Sequence, residues 1–160
     1  MYKTIYTIGH GKLGFMSFIR LIQANKITHI VDIRSIPYSR HAPWSNKSRL
    51  ADLVKPFNIR YTYLGHKLGG KKTNKSNTPP QQAEVTPDIY QKAIDVLLHL
   101  SVRDDLTLLC AEGDPTRCHR QSVIAQTLLD AGVRVVHLLH DGSVKEAWKQ
   151  DTTVIQPDLF

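Results

Sequence analysis

The chain has 160 residues, 41% of them hydrophobic, enough for one domain with a core of ordinary size, and no apolar run approaches the length of a membrane span. Two cysteines without regular spacing argue against a disulfide scaffold. A net charge of +7 and a pI near 9.5 favour polyanionic partners such as nucleic acid or phosphorylated substrates. The start, Met1 to Ile8, reads as a strand rather than a signal peptide. The expectation is a soluble cytoplasmic protein with both thiols free and no membrane partner.

In chain order, Tyr2 to Ile8 alternates and is β-rich, a strand ending at Gly9-His10. Phe15 to Asn25 carries Phe15, Phe18, Ile19 and Ile22 at helical spacing. Ile27 to Arg34 is a near-continuous apolar run, as expected of a parallel strand buried on both faces. Pro37 to Trp44 is a polar and aromatic loop, and Asn46 to Phe57 a helix with Leu50, Leu53 and Val54 inside. Ile59 to Leu64 is the third strand. A lysine-rich loop follows, with Gly69-Gly70, Lys71, Lys72, Lys75 and Pro79-Pro80. Its 71–86 stretch is expected to be flexible and is the best candidate for a lid. Pro87 to Leu100 is a helix with Ile89, Ala93, Val96, Leu97 and Leu100 inside. Leu106 to Cys110 is a strand, Thr116 to Ala131 a helix closed by Gly132, Arg134 to Leu139 a last strand and Ser143 to Gln150 a short helix.

Strands alternating with helices predict an α/β fold: a mostly parallel five-stranded sheet with helices on both faces, three-layered and Rossmann-like, in a single domain over 1–150 with a tail over 151–160. Ligands of such sheets bind outside the carboxyl ends of the strands. The polar groups fall there: His10 after the first strand, Asp32 and Arg34 after the second, His66 after the third, Cys110 and Glu112 after the fourth, His140 and Asp141 after the last.

Five pieces stand out in order: Thr7-Ile-Gly-His10, Val31-Asp-Ile-Arg-Ser-Ile-Pro-Tyr-Ser-Arg40, Tyr63-Leu-Gly-His-Lys-Leu-Gly-Gly70, Leu109-Cys-Ala-Glu-Gly-Asp-Pro-Thr-Arg-Cys-His-Arg120 and His140-Asp-Gly142. Together they resemble the domain-of-unknown-function family number 488. The resemblance implies a small α/β domain with an active site at those motifs, and no established reaction.

Four chemistries suit the residues. Asp114 or Thr116 can cap the helix behind Pro115, and its free amides, with Arg117, His119, Arg120, Arg34 and Arg40, would receive an anion; the same residues also suit a capped helix whose arginines pair with Glu112, Asp32 or Asp114. Cys118 in a first helical turn beside Arg120 would have a depressed pKa. Cys-x5-Arg phosphatase spacing fails, because Thr116 stands where the arginine belongs. Adjacent Cys118 and His119 on a helix would point apart. Cys110, Cys118, His119 and His10 match no common zinc spacing, so neither metal nor cofactor is expected. Asp32 and Glu112 can flank one substrate for acid/base work, Asp32 also being placed to hold Arg34. Tyr38 and Trp44, with the lysine loop, suit nucleic acid.

The leading expectation is a small enzyme acting on a nucleotide or nucleic acid. Its catalytic groups would be Glu112, Asp32, His10 and Cys118, and its substrate-binding groups Gly9, Arg34, Ser35, Arg40, Gly69, Gly70, Arg117, His119 and Arg120. The alternatives are a non-catalytic DNA-associated binding module and a thiol or sulfur-transfer enzyme. The tail Gln156-Pro-Asp-Leu-Phe160 resembles the short peptides that dock bacterial replication proteins on the sliding clamp, with Gln156, Leu159 and Phe160 as anchors.

Overall fold

The computed structural model describes residues 1–69 and 85–150. Gly70, most of the lysine-rich loop and the tail with its clamp-like peptide lie outside the described residues.

Six strands, not five, form one sheet in the order β3-β2-β4-β1-β5-β6. They are β1 (Ile5–Gly9), β2 (His29–Asp32), β3 (Arg60–Tyr63), β4 (Leu106–Cys110), β5 (Val135–Leu138) and β6 (Val144–Glu146). The first five run parallel, and β6 returns antiparallel to β5. β6 replaces the expected helix over Ser143 to Gln150. The cause is a tight turn: Gly142 holds φ +88°, which glycine adopts without steric cost, and Asp141 Oδ1 accepts the Ser143 amide at 2.9 Å. Val144 is thereby set opposite Leu138, and Arg134, just before β5, pairs with Glu146 of β6.

The strands are short apolar runs, and neighbouring residues sort into two clusters. Ile5, Val31 and Leu108 join one, Ile8, Ile30 and Leu109 the other. Side chains alternate across a strand, so the clusters occupy opposite faces. α1 (Phe15–Ala24) buries Phe18, Ile19 and Ile22 in the second cluster. α2 (Lys47–Leu53) adds Leu50 there; it stops before the expected Phe57, and Lys55–Phe57 continues as a 3-10 turn because Pro56 cannot extend the α-helical ladder. A one-turn helix, α3 (Gly65–Leu68), follows β3.

α4 (Pro87–Arg103) starts at a Thr86 cap on the Ile89 amide and buries Ala93, Ile94, Leu97 and Ser101. Val96, expected inside, is exposed, since the buried stripe runs through Ile94, Leu97 and Ser101.

The expected helix over Thr116 to Ala131 is broken. Pro115–Arg117 is a 3-10 turn, Cys118 is extended (φ −127°, ψ 142°), Arg120–Ala125 is a π-turn, and α5 covers only Gln126–Asp130. The wide turn carries consecutive Arg120 and Gln121 inward, both buried, an insertion of the kind often found at functional sites.

Gln121 helps fix a buried polar chain. Its Nε2 donates to Trp148 O, so its Oε1 accepts from His137 Nε2 at 2.7 Å. Thr7 Oγ1 then donates to His137 Nδ1 at 2.6 Å. Burial, with Arg120 and Lys145 nearby, pushes His137 down to about 4. The unfolded chain therefore takes up a proton below pH 6.5 that the folded chain refuses until about pH 4. Stability present above pH 6.5 is lost as pH falls through that window, about 2 kcal/mol of it between pH 7 and pH 5. Urea midpoints at the two pH values are expected to converge in His137→Gln; an unchanged pH difference would assign the effect to other groups.

Candidate functional site

Register brings the polar strand ends level. Gly9 of β1 stands beside Cys110 of β4, and Asp32 of β2 lies between Leu109 of β4 and Tyr63 of β3. The chain moves outward from β1 to β2 and β3, returns to insert β4, then crosses to β5. β4 thus ends where successive connections diverge, the place where sheets of this kind form ligand crevices. A cavity of about 600 Å³ opens there, lined by Arg34, Ser35, Ile36, Tyr38, Cys110, Ala111, Glu112, Arg117, Cys118 and His119.

On the β2 side, Asp32 is wholly buried and accepts four hydrogen bonds. Arg34 gives it a backbone amide (3.1 Å), Nε (2.9 Å) and Nη2 (2.7 Å), and Tyr61 gives its hydroxyl (2.5 Å). Arg34 also donates through Nη1 to Ser45 Oγ and through Nη2 to Ser45 O. Burial and the Asp32 carboxylate keep the Tyr61 hydroxyl protonated well above its ordinary range. Asp32, expected to be catalytic, is here the group that holds Arg34 on the cavity wall. Tyr61 and Ser45, which complete this grip, are not legible as partners in the local sequence, because they come from a neighbouring strand and a later turn.

On the β4 side, the loop after Cys110 places exposed Glu112 and Arg117 on the cavity. Glu112 Oε1 accepts the Asp114 amide at 3.0 Å. Asp114 caps the next turn through the Thr116 amide (2.9 Å) and hydroxyl (2.7 Å), and these bonds hold its carboxyl below the usual range. The Arg117 and Cys118 amides bond to the Asp114 and Pro115 carbonyls. The helix start therefore offers no free amides at Thr116 to Cys118, contrary to expectation. Arg117 is the loosely held cation here, largely exposed and 3.8 Å from Asp114.

Cys110 and Cys118, expected as free thiols, are joined as a disulfide. The extended backbone at Cys118 turns its side chain toward His119, so their side chains meet, Sγ to Nδ1, at 3.7 Å instead of diverging as they would on a helix. Burial lowers the His119 pKa.

Arg120 lies beneath the loop rather than on the cavity. It is fully buried, donates Nη2 to Gly113 O at 2.9 Å, and has no hydrogen-bond partner for Nε or Nη1. Burial pulls it down to about 10, against the opposing pull of Glu112 and Asp114.

The remaining expected site residues fall elsewhere. His10 is buried with Nδ1 facing Gly11 O and its ring edge-on to Trp44. Trp44 itself is half-buried, packs on Phe15 and Phe18 and donates to Leu13 O. Tyr38, by contrast, is 61% exposed on the cavity. Gly9 is a packing position: a Cβ there would land on the Glu112 carbonyl. Gly69 packs on Ser35. Arg40 is exposed away from the cavity lining.

Among the described residues no helix is long and apolar enough to cross a membrane. A family model described as Domain of unknown function DUF488 matches residues 15–128, which takes in the segments at 31–40, 63–70 and 109–120 but not those at 7–10 and 140–142. No curated protein and no solved structure matches the chain.

Proposed function

We propose, from the premise that the chain belongs to the DUF488 family and from the make-up of its cavity, that the protein is an enzyme acting on a nucleotide or nucleic acid held at the ends of β2 and β4. The observation that carries this reading is the joint presence of Tyr38, Arg117, Arg34 and Glu112 on one cavity. An exposed aromatic ring suits stacking of a base. A loosely paired arginine, Arg117, suits a phosphate, while Arg34 is neutralised by Asp32 and serves to fix the wall beside it. Glu112 is the carboxylate placed to move a proton at the bound substrate, since Asp32 is fully engaged with Arg34. The +7 charge of the chain favours encounter with a polyanion.

The reading is tested by screening mononucleotides, oligonucleotides and nucleosides for turnover and then comparing Glu112→Gln with wild type. Turnover is expected to fall by about 10²–10⁴-fold while affinity changes little. Equal turnover in the two proteins would remove Glu112 from the chemistry. Binding without turnover in wild type would favour the second reading, a DNA-associated binding module.

A further inference from the structure

The cavity wall holds one grouping that the proposed function leaves unused. Cys110 Sγ, Cys118 Sγ and a ring nitrogen of His119 lie within 4.8 Å of one another, and all three residues line the cavity. His119 is oriented as a ligand. Its Nε2 faces Leu68 O at 3.1 Å, and a carbonyl can only accept, so in the neutral ring Nε2 carries the proton. Nδ1 then presents a bare lone pair, 3.7 Å from Cys118 Sγ. A ring whose far N–H is tied to a backbone carbonyl is how metal-bound histidines are commonly held. The Cα atoms of the two cysteines stand 7.7 Å apart, wider than the roughly 4.4–6.8 Å usual for a disulfide. Once reduced, cysteines whose Cα atoms stand that far apart leave their sulfurs room to separate and take up bonds of about 2.3 Å to a shared ion.

We propose that in the reduced protein Cys110, Cys118 and His119 bind a zinc-class divalent ion through two thiolates and Nδ1, with the fourth coordination position open to the cavity. Two sulfurs and one imidazole suit a borderline-soft ion such as Zn²⁺, and three protein ligands with one open position is the arrangement of catalytic rather than structural zinc. The balance is simple. An external dithiol gives two electrons and two protons to the disulfide and is itself oxidised to a disulfide. The ion then displaces the two thiol protons to solvent, while the neutral imidazole releases none. Oxidation of the pair reverses this and expels the ion. The spacing of the ligands hides the site from sequence, because the break at Cys118, not a recognisable zinc motif, brings His119 and both sulfurs together. The inference shares the cavity with the proposed function but does not require a nucleotide substrate.

The test is an anaerobic Co²⁺ titration of the full chain, reduced and then freed of reductant, followed by Zn²⁺ displacement. One ion per chain is expected, with a thiolate-to-cobalt charge-transfer band that Zn²⁺ abolishes, and none in the oxidised chain, a comparison that needs no variant. Cys118→Ser is expected to weaken binding by more than the ten- to hundredfold typical of a change outside the ligand set, and His119→Gln by at least about tenfold, with urea midpoints confirming that both fold. Reduced wild type that binds no Co²⁺, binds it without the thiolate band, or binds it as tightly as Cys118→Ser does would overturn the proposal. Nucleotide affinity measured in metal-free protein separates the two readings: nucleotide binding without cobalt binding defeats the metal site alone, and cobalt binding without nucleotide binding defeats the proposed function alone.

Discussion

Asp32→Ala is expected to lower stability by about 3–5 kcal/mol, the cost of removing one partner from a buried ion pair. The size follows from what is left behind. The Arg34 side chain is 3% exposed and the Asp32 side chain wholly buried, so the guanidinium would lose both of its hydrogen bonds to the carboxylate and remain charged in a place that water does not reach. The Tyr61 hydroxyl loses its acceptor at the same time. Replacing both charges, Asp32→Leu with Arg34→Met, is expected to cost far less than the sum of the single changes, because no orphan charge remains. Urea unfolding checks both, with a shifted midpoint and an unchanged slope. A single-variant cost under about 1 kcal/mol would mean that Arg34 escapes to solvent and is not fixed at the cavity wall.

Gly9→Ala is expected to cost about 3 kcal/mol through overpacking. The added methyl would coincide with the Glu112 carbonyl and reach to 3.0 Å of Arg120 Nη1. Neither neighbour yields easily: one is backbone, and the other is a fully buried guanidinium. The strand end and the loop after β4 must separate, and Glu112 moves with the loop. A melting temperature lower by roughly 6–12 °C, with loss of any activity that depends on Glu112, is the expected result. A melting temperature within a degree or two of wild type would show that this loop yields readily, and that it does not hold Glu112 in place.

Much of this arrangement is legible in the sequence, and the rest fails for identifiable reasons. The short apolar runs around Ile30, Leu108 and Val136 announce parallel buried strands, and the polar groups that follow them mark the end of the sheet where the cavity forms. The helix stripes at Phe18, Ile19, Ile22 and at Ala93, Leu97 read directly from spacing. β6 does not, because Val144 to Glu146 acquires its strand geometry from pairing with β5 behind the Gly142 turn. The break at Cys118 is equally invisible: the surrounding residues carry a helical pattern, and the departure comes with a cross-loop partner eight residues away. His10 looks like a site residue by its position after β1, yet its environment is set by Trp44, thirty-four residues on, and by the turn of its own backbone. Asp32 illustrates the converse. Its neighbour two residues later already suggests that it holds an arginine, and the buried four-donor grip realises that option.

Whether the ends of β2 and β4 form the ligand-binding face is decided by amide NMR shifts on titration with a 5′-mononucleotide. Saturable shifts are expected at Ser35, Ile36, Tyr38, Ala111, Glu112 and Arg117, weakened with added salt and in Arg117→Ala. The opposite end of the sheet, at Thr28, Asp105 and Gly132, is expected to stay still. Shifts scattered over exposed lysines and arginines, or centred on that opposite end, would mean that the ligand does not bind at the ends of β2 and β4.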